Sequence, residues 1–382
     1  MELFYWILCV IPAILCWKVF QIFSVTKDFV QQNANKPKYK VSQQRGHYES
    51  FFQRANHPTR PLGFWIRYTI YHPDNNRKGS LAELWAIFFD GESNYHTVAK
   101  AEFPLESLTE ANSFQFSFNP NTKQMDVRIN DAILQQGKLQ GTISKNDKTN
   151  QSILWNLSFE SHENKPKPVL LLPSWMYSDS APFPKAKSMV GVPLASYTGS
   201  ITLSESKETV NITNWIGSQN HNYGSKHTDL YSWGQVCGFD EDMDAFLEVA
   251  TAQIKIGSMW TPQMTVLVLR LRNEEIAITG LVESILAGRK SSVSYFHWTF
   301  ETSNRNFYIK GSIHANPQDF VALTYYNPPG GSKCCLNTKI AQCTLRVIDK
   351  RTNEVHTLTS KKRAAFELLR DDFTSHGIPV RV

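Results

Sequence analysis

Between Ser218 and Gln235 the chain reads SQNHNYGSKHTDLYSWGQ, its densest run of residues able to move protons or orient a substrate. Asn220, His221, Asn222, His227 and Asp229 fall in a predicted loop that feeds a strand. His221 and Asp229 are candidates for proton transfer there, and the amides for hydrogen bonding to a ligand. Along the strand, a period of two puts Tyr231, Trp233 and Gln235 on one face, an aromatic wall with a polar end. The same residues also fit a hydrogen-bonded connection that satisfies buried backbone groups. The spacing of His221 and His227 matches neither a helical HExxH pair nor alternation along a strand, so no metal site is expected.

A second cluster, RANHPTRPLGFWIRY from Arg54 to Tyr68, sets Arg54, His57, Arg60 and Arg67 around two prolines before an aromatic strand. Such guanidinium groups can clamp an anion, or they can pin a barrel entrance by pairing with carboxylates and carbonyls. Third, Glu83 interrupts the apolar run LAELWAIFFD on a face shared with Leu81, Trp85, Ile87 and Phe89. If that face is enclosed, its pKa should rise and a protonated Glu83 could act as a general acid. If the face is exposed, or if Arg54 or Arg67 pairs with it, Glu83 is structural. No phosphate-cradling glycine loop, GxSxG elbow or haem-attachment CxxCH occurs, so no cofactor is expected. Cys334, Cys335 and Cys343 lack zinc-site spacing.

These groups need a frame to hold them. Of 382 residues, 12% are aromatic and 19% charged, which favours sheets over solvated helices and excludes disorder. The net charge of +6 is scattered along the chain, which argues against nucleic acid as a partner. Leu3 to Val25 (LFYWILCVIPAILCWKVFQIFSV) is helix-length for a bilayer, broken only by Lys18, Gln21 and a tolerated Pro12. Glu2 before it and bulky residues after it favour a retained transmembrane or signal-anchor helix over a cleaved signal. Lys27, Lys36, Lys38, Lys40 and Arg45 on its C-terminal flank predict a membrane protein with a single-pass anchor and a cytoplasmic body.

Beyond a polar linker, short β-branched and aromatic segments alternate with turn clusters such as HPDNNRKG and SKNDKTNQ, a meander signature. Prolines 166, 168, 173, 182, 184 and 193 predict a long crossing from Asn164 to Pro193 that is neither central strand nor helix. Ser360 to Phe373 reads as a helix with Phe366, Leu369 and Phe373 on one face. The expectation is an all-β body: anchor 1–27, linker 28–44, and two tandem barrels or sandwiches over 45–195 and 196–382.

At GFWIRYTIY, NHNYGSKHTDLYSWGQ and YYNPPGGSKCCLNTKIA the chain resembles the lipocalin-like superfamily of carotenoid 1,2-hydratases, tocopherol cyclase-like proteins, AttH-like proteins and fungal pericyclases. The resemblance runs from Arg45 to the C-terminus. It implies two tandem lipocalin-like β-barrels, a pocket near their junction, and chemistry on an isoprenoid or polyene without a redox cofactor. Asn220, His221, Asn222, Trp233 and Gln235 match motif positions near that pocket. Where the superfamily often has Asp-His-Glu-Trp-Gly, this chain has Asn220, His221, Asn222, Tyr223 and Gly224. An amide orients but cannot protonate an alkene, so hydration would need Glu83, Asp229 or another carboxylate. A cyclase that works by shape needs no acid. The expected function is a membrane-tethered hydratase or cyclase with Glu83, Asp229 and His221 catalytic, and with Arg54, Asn220, Asn222, Tyr231, Trp233 and Gln235 binding substrate. The alternative is a carrier of the same hydrophobic molecule.

Overall fold

The computed structural model describes residues 24–40, 45–74, 79–181, 183–204 and 208–382. The expected anchor lies outside the described residues except for its last positions. Among the described residues no helix is long and apolar enough to cross a membrane.

Two large, mostly antiparallel sheets form the body. The first has 12 strands. Its centre pairs His47–Asn56 with Leu62–His72 on one side and with Glu208–Gly224 on the other, and Ala186–Leu203 follows. The second has 10 strands, with Leu230–Cys237 between Phe246–Gln253 and Glu354–Arg370, and Ser332–Asp349 beyond. The chain passes from one sheet to the other between Gly224 and Leu230.

The central strands are buried on both faces, which is why they read as unbroken apolar runs. Alternate residues go to different places. Leu84, Ala86 and Phe88 join an apolar core curled inside the first sheet, while Trp85, Ile87 and Phe89 join a seam packed against the second. The second sheet divides likewise: Val236, Leu247 and Phe366 fill its own core, and Trp233, Phe246 and Leu369 face the seam.

Three expectations are corrected. Ser360–Phe373 is not a helix, because most of it belongs to the strand Glu354–Arg370. Its lysines, alanines and leucines favour helix intrinsically, but the strand is walled by neighbours on both edges, and this tertiary pairing overrides propensity. The proline-rich crossing contains a short strand, Val169–Leu170, and a single 3-10 turn, Ser174–Tyr177, and Pro193 lies within the strand Ala186–Leu203. The ladder shifts register between Val190 and Ala195, and such a bulge tolerates a residue without an N–H. Finally, Asn220, His221 and Asn222 are not in a loop but on the strand Glu208–Gly224.

Residues 24–40 lead into the first sheet as a docked segment. Thr26 caps the short helix Lys27–Gln32, and Val30 and Ala34 are buried against Leu170, Tyr177, Met189 and Tyr223.

Candidate functional site

A cavity of about 230 Å³ opens at the seam, walled by residues of both sheets and roofed by Leu171, Pro173, Met176, Phe183 and Pro184 of the proline-rich crossing. The wall is mainly apolar: Phe52, Trp65, Trp233, Ala250, Met264 and Val266 contribute to it. Polar groups enter from Arg67, Tyr231, Tyr325, Glu367, His227 and Asn222.

Arg67 stands out among them. It is 5% exposed, and its guanidinium lies 4.5 Å from the Tyr325 ring centroid and 5.8 Å from that of Trp65. Among the described residues no hydrogen-bond acceptor is paired with its side chain, and its buried Nε is unpartnered. Burial works against its charge, but the fields of Tyr325, Glu83, Glu367 and Tyr231 prevail and its pKa is raised. A permanent cation therefore sits at the wall of an apolar cavity with no oxygen to bind. The Trp65 indole N–H also lacks an acceptor.

Glu367 is the carboxylate at the wall, and it is occupied. Its Oε1 accepts from Lys339 at 2.7 Å and Asn337 at 3.0 Å, and its Oε2 from the Tyr231 hydroxyl at 3.3 Å. Burial raises the phenols of Tyr231 and Tyr325 well above their ordinary values, so both remain protonated donors. His227 stacks on Tyr48 at 3.9 Å; burial and then the Arg67 charge lower its pKa to about 3, so its imidazole is neutral.

Behind the cavity a polar bridge ties the sheets together. Arg54 donates to Gln235 Oε1 at 3.1 Å, to the Arg363 carbonyl at 2.9 Å and to Asn56. Gln235 Oε1 also accepts from Ser218, while its amide N donates to Asn220 at 2.8 Å and to Glu248 at 2.7 Å. Glu248 takes a further bond from Trp233 Nε1 at 2.7 Å. Burial overrides these bonds and lifts the Glu248 pKa to about 8.

The expected site residues thus separate. Asn222, Tyr231 and Trp233 line the cavity. Arg54, Asn220 and Gln235 belong to the bridge behind it. His221 points to the opposite strand face, stacked on Phe51, with its ring nitrogens 2.6 Å from the Ala34 carbonyl and 2.6 Å from Glu49 Oε1. Glu83 is buried but faces Lys100 at 3.0 Å, away from the cavity wall. Asp229 pairs with Lys226 at 2.5 Å and accepts from the Lys255 backbone N–H. Of the arginine cluster, Arg60 pairs with Glu92 at 2.5 Å and the terminal nitrogens of Arg54 are engaged by Gln235, Asn56 and the Arg363 carbonyl, whereas Arg67 lines the cavity.

Glu367 and Glu248 lie in no motif, and Tyr325 and Lys339, although inside YYNPPGGSKCCLNTKIA, were not singled out as site residues. A period-two reading of AAFELLR would have set Glu367 on the face opposite Phe366 and Leu368. Among the described residues no group of three or more His, Cys, Asp or Glu side chains could hold a metal ion.

Solved structures share this architecture. An AttH-like protein from Nitrosomonas europaea aligns over 88% of this chain and 97% of its own, with a TM-score of 0.51 and 11% identity. CghA, solved with Sch210972, aligns over 86% of this chain and 88% of its own, with a TM-score of 0.52 and 10% identity. Kievitone hydratase from Nectria haematococca covers 91% of this chain and 96% of its own at 11% identity and a TM-score of 0.45. The resemblance carried by the sequence motifs therefore extends to the fold. No protein-family model and no curated protein matches the chain.

Proposed function

We propose that the chain, built as two lipocalin-like barrels, is a cofactor-independent cyclase of a hydrophobic isoprenoid or polyene that bears a carbonyl or acidic oxygen. The observation that carries this reading is the buried, unpartnered Arg67 at the wall of an apolar cavity. A guanidinium held there would bind the ligand oxygen and stabilise negative charge as it builds on a conjugated carbonyl. The aromatic walls would hold the polyene in a folded, reactive shape. Ring closure of this kind exchanges two carbon–carbon π bonds for two σ bonds. It gains and loses no atoms and needs no redox partner.

Cyclisation is preferred to hydration because Glu367, the carboxylate at the wall, is engaged by Lys339, Asn337 and Tyr231. Protonating an alkene would require it to leave that ion pair. The experiment is to incubate the protein with a linear polyene carrying a diene and a tethered α,β-unsaturated ketone and to follow cyclisation by chiral chromatography. A single stereoisomer formed faster than the thermal background, and slowed at least tenfold by Arg67→Met, supports the reading. Binding with no change in rate would make the protein a carrier, and a product heavier by one water would make it a hydratase.

A further inference from the structure

Among the described residues, several large apolar side chains at and beside the cavity lining are exposed. Phe183, on the roof, is 48% exposed. Opposite it, the strands Phe246–Gln253 and Met264–Leu271 run past Ile254 and Met264 at the mouth into a separate two-stranded hairpin. This hairpin, Lys255–Trp260, holds Ile256, Met259 and Trp260 out at 62%, 72% and 45% exposure. The helix Leu281–Gly288 completes the rim, turning Ser284, Ala287 and Gly288 inward while Leu281, Val282 and Leu286 are exposed. Scattered exposed leucines are ordinary, but three apolar segments converging on one opening are not.

Two further observations say what covers this rim. Chain direction is the first. The Val25 carbonyl, at the end of the apolar run that begins at Leu3, accepts a hydrogen bond from Ser174 at 2.8 Å, and Pro173 and Met176 beside that residue line the cavity. Val25, the last residue of that run, therefore sits beside residues that line the cavity. Charge is the second. Lys185, Lys255, Arg289 and Lys290 stand exposed on or beside these segments, against two carboxylates, Asp179 on the roof and Glu283 on the helix. A tryptophan and basic side chains around an apolar surface suit the headgroup boundary of an anionic bilayer.

We propose that this rim is a membrane-docking surface: Phe183, the hairpin tip and the helix face enter an anionic lipid leaflet, so that the cavity opens directly into the acyl region. A ligand dissolved in the bilayer then reaches Arg67 without crossing water. The proposal extends the reading of the cavity as a site for a hydrophobic molecule, but its test does not depend on turnover.

The full chain, with Cys9 and Cys16 changed to serine, is labelled with an environment-sensitive fluorophore at Met259→Cys and reconstituted with phosphatidylcholine vesicles containing phosphatidylserine. The emission should shift to the blue and brighten several-fold, nitroxide-bearing lipids should quench it, and a label at Lys123→Cys, in a turn outside the rim, should stay aqueous. Val282→Glu with Leu286→Glu should slow transfer of diphenylhexatriene from vesicles into the cavity at least tenfold and leave its binding from detergent solution unchanged. A Met259 label that stays aqueous in vesicle-bound protein would overturn the proposal. So would a blue shift without lipid, which would mean that the N-terminal run covers the rim, or a shift that grows with protein concentration in detergent, which would mean a second copy. Insertion of the label with no diphenylhexatriene binding would leave the docking surface standing and defeat the reading of the cavity.

Discussion

Replacing Arg67 by methionine should stabilise the empty protein and weaken its grip on an acidic ligand. The guanidinium is 5% exposed and has no acceptor, so it bears a desolvation cost of several kcal/mol. The fields of Glu83 and Glu367, each already paired with a lysine, return part of that, and the Tyr325 and Trp65 rings, at 4.5 and 5.8 Å, return about 2 kcal/mol more for a desolvated cation–π contact at best. Methionine fills much of the same volume without charge. Removing the cation strands no anion, since Glu83 keeps Lys100 and Glu367 keeps Lys339. The net gain should be about 1–3 kcal/mol, the range seen when apolar residues replace buried charges. That raises Tm by roughly 2–10 °C for domains of this size. For the ligand, a lost charge-assisted hydrogen bond of about 1.5–3 kcal/mol means roughly tenfold to hundredfold weaker binding. The assay pairs differential scanning fluorimetry with titration of two fluorescent polyenes, parinaric acid and the hydrocarbon diphenylhexatriene. Only the acid should lose affinity. A lower Tm with an unchanged ratio of the two affinities would show that Arg67 is a structural residue whose partner is the aromatic wall.

Three other outcomes follow from the geometry. Burial alone would raise the Glu49 pKa, but hydrogen bonds from His221 and His47 prevail and hold it at about 2. Its contribution is therefore complete above its unfolded value of about 4.5 and is lost as pH falls toward 2; at neutral pH Glu49→Gln should remove about 3 kcal/mol, read by urea denaturation, and should flatten the acid limb. Glu248 has the opposite sign. Burial raises its pKa to about 8, so its contribution is complete below its unfolded value and fades as pH climbs through 8, and in Glu248→Met the drop in Tm between pH 6 and pH 9 should shrink. Ala250 lines the cavity opposite Trp233 in the ladder, so Ala250→Trp should abolish binding of both polyene probes while circular dichroism stays native.

Much of the frame was legible because strands buried on one or both faces leave a plain pattern. The strand that was to carry Tyr231, Trp233 and Gln235 is there, as Leu230–Cys237. What failed had physical causes. Glu354–Arg370 is made of good helix formers, and only its long-range partners make it a strand. The site was legible by residue type but not by direction. Treating Asn220, His221 and Asn222 as loop residues let all three converge, whereas a strand must turn His221 away from its two neighbours. The arginine cluster was visible, yet sequence could not say which guanidinium would go unpaired, since the partners come from elsewhere in the chain: Glu92 for Arg60, and Gln235 and the Arg363 carbonyl for Arg54.

The position of the cavity explains how so polar a seam persists. Each sheet curls around its own apolar core, with Phe51, Phe64 and Trp215 in the first and Leu247, Trp298 and Phe366 in the second, so each half has its own source of folding energy. The seam is then free to hold groups that a single core would reject: an unpaired arginine, indole N–H groups of Trp65 and Trp85 without acceptors, and a lysine–glutamate pair away from water. Had the pocket occupied a barrel interior, Arg67 would have interrupted the packing that stabilises its own sheet. Placed between two curled sheets that each have their own core, its cost is borne by the junction alone. The Arg54–Gln235–Glu248 bridge beside it holds that junction in register. Truncating Gln235 should therefore loosen the contact between the halves before it unfolds either of them, and hydrogen exchange would reveal this as early exposure of His47–Asn56 and Leu230–Cys237 while both cores remain protected.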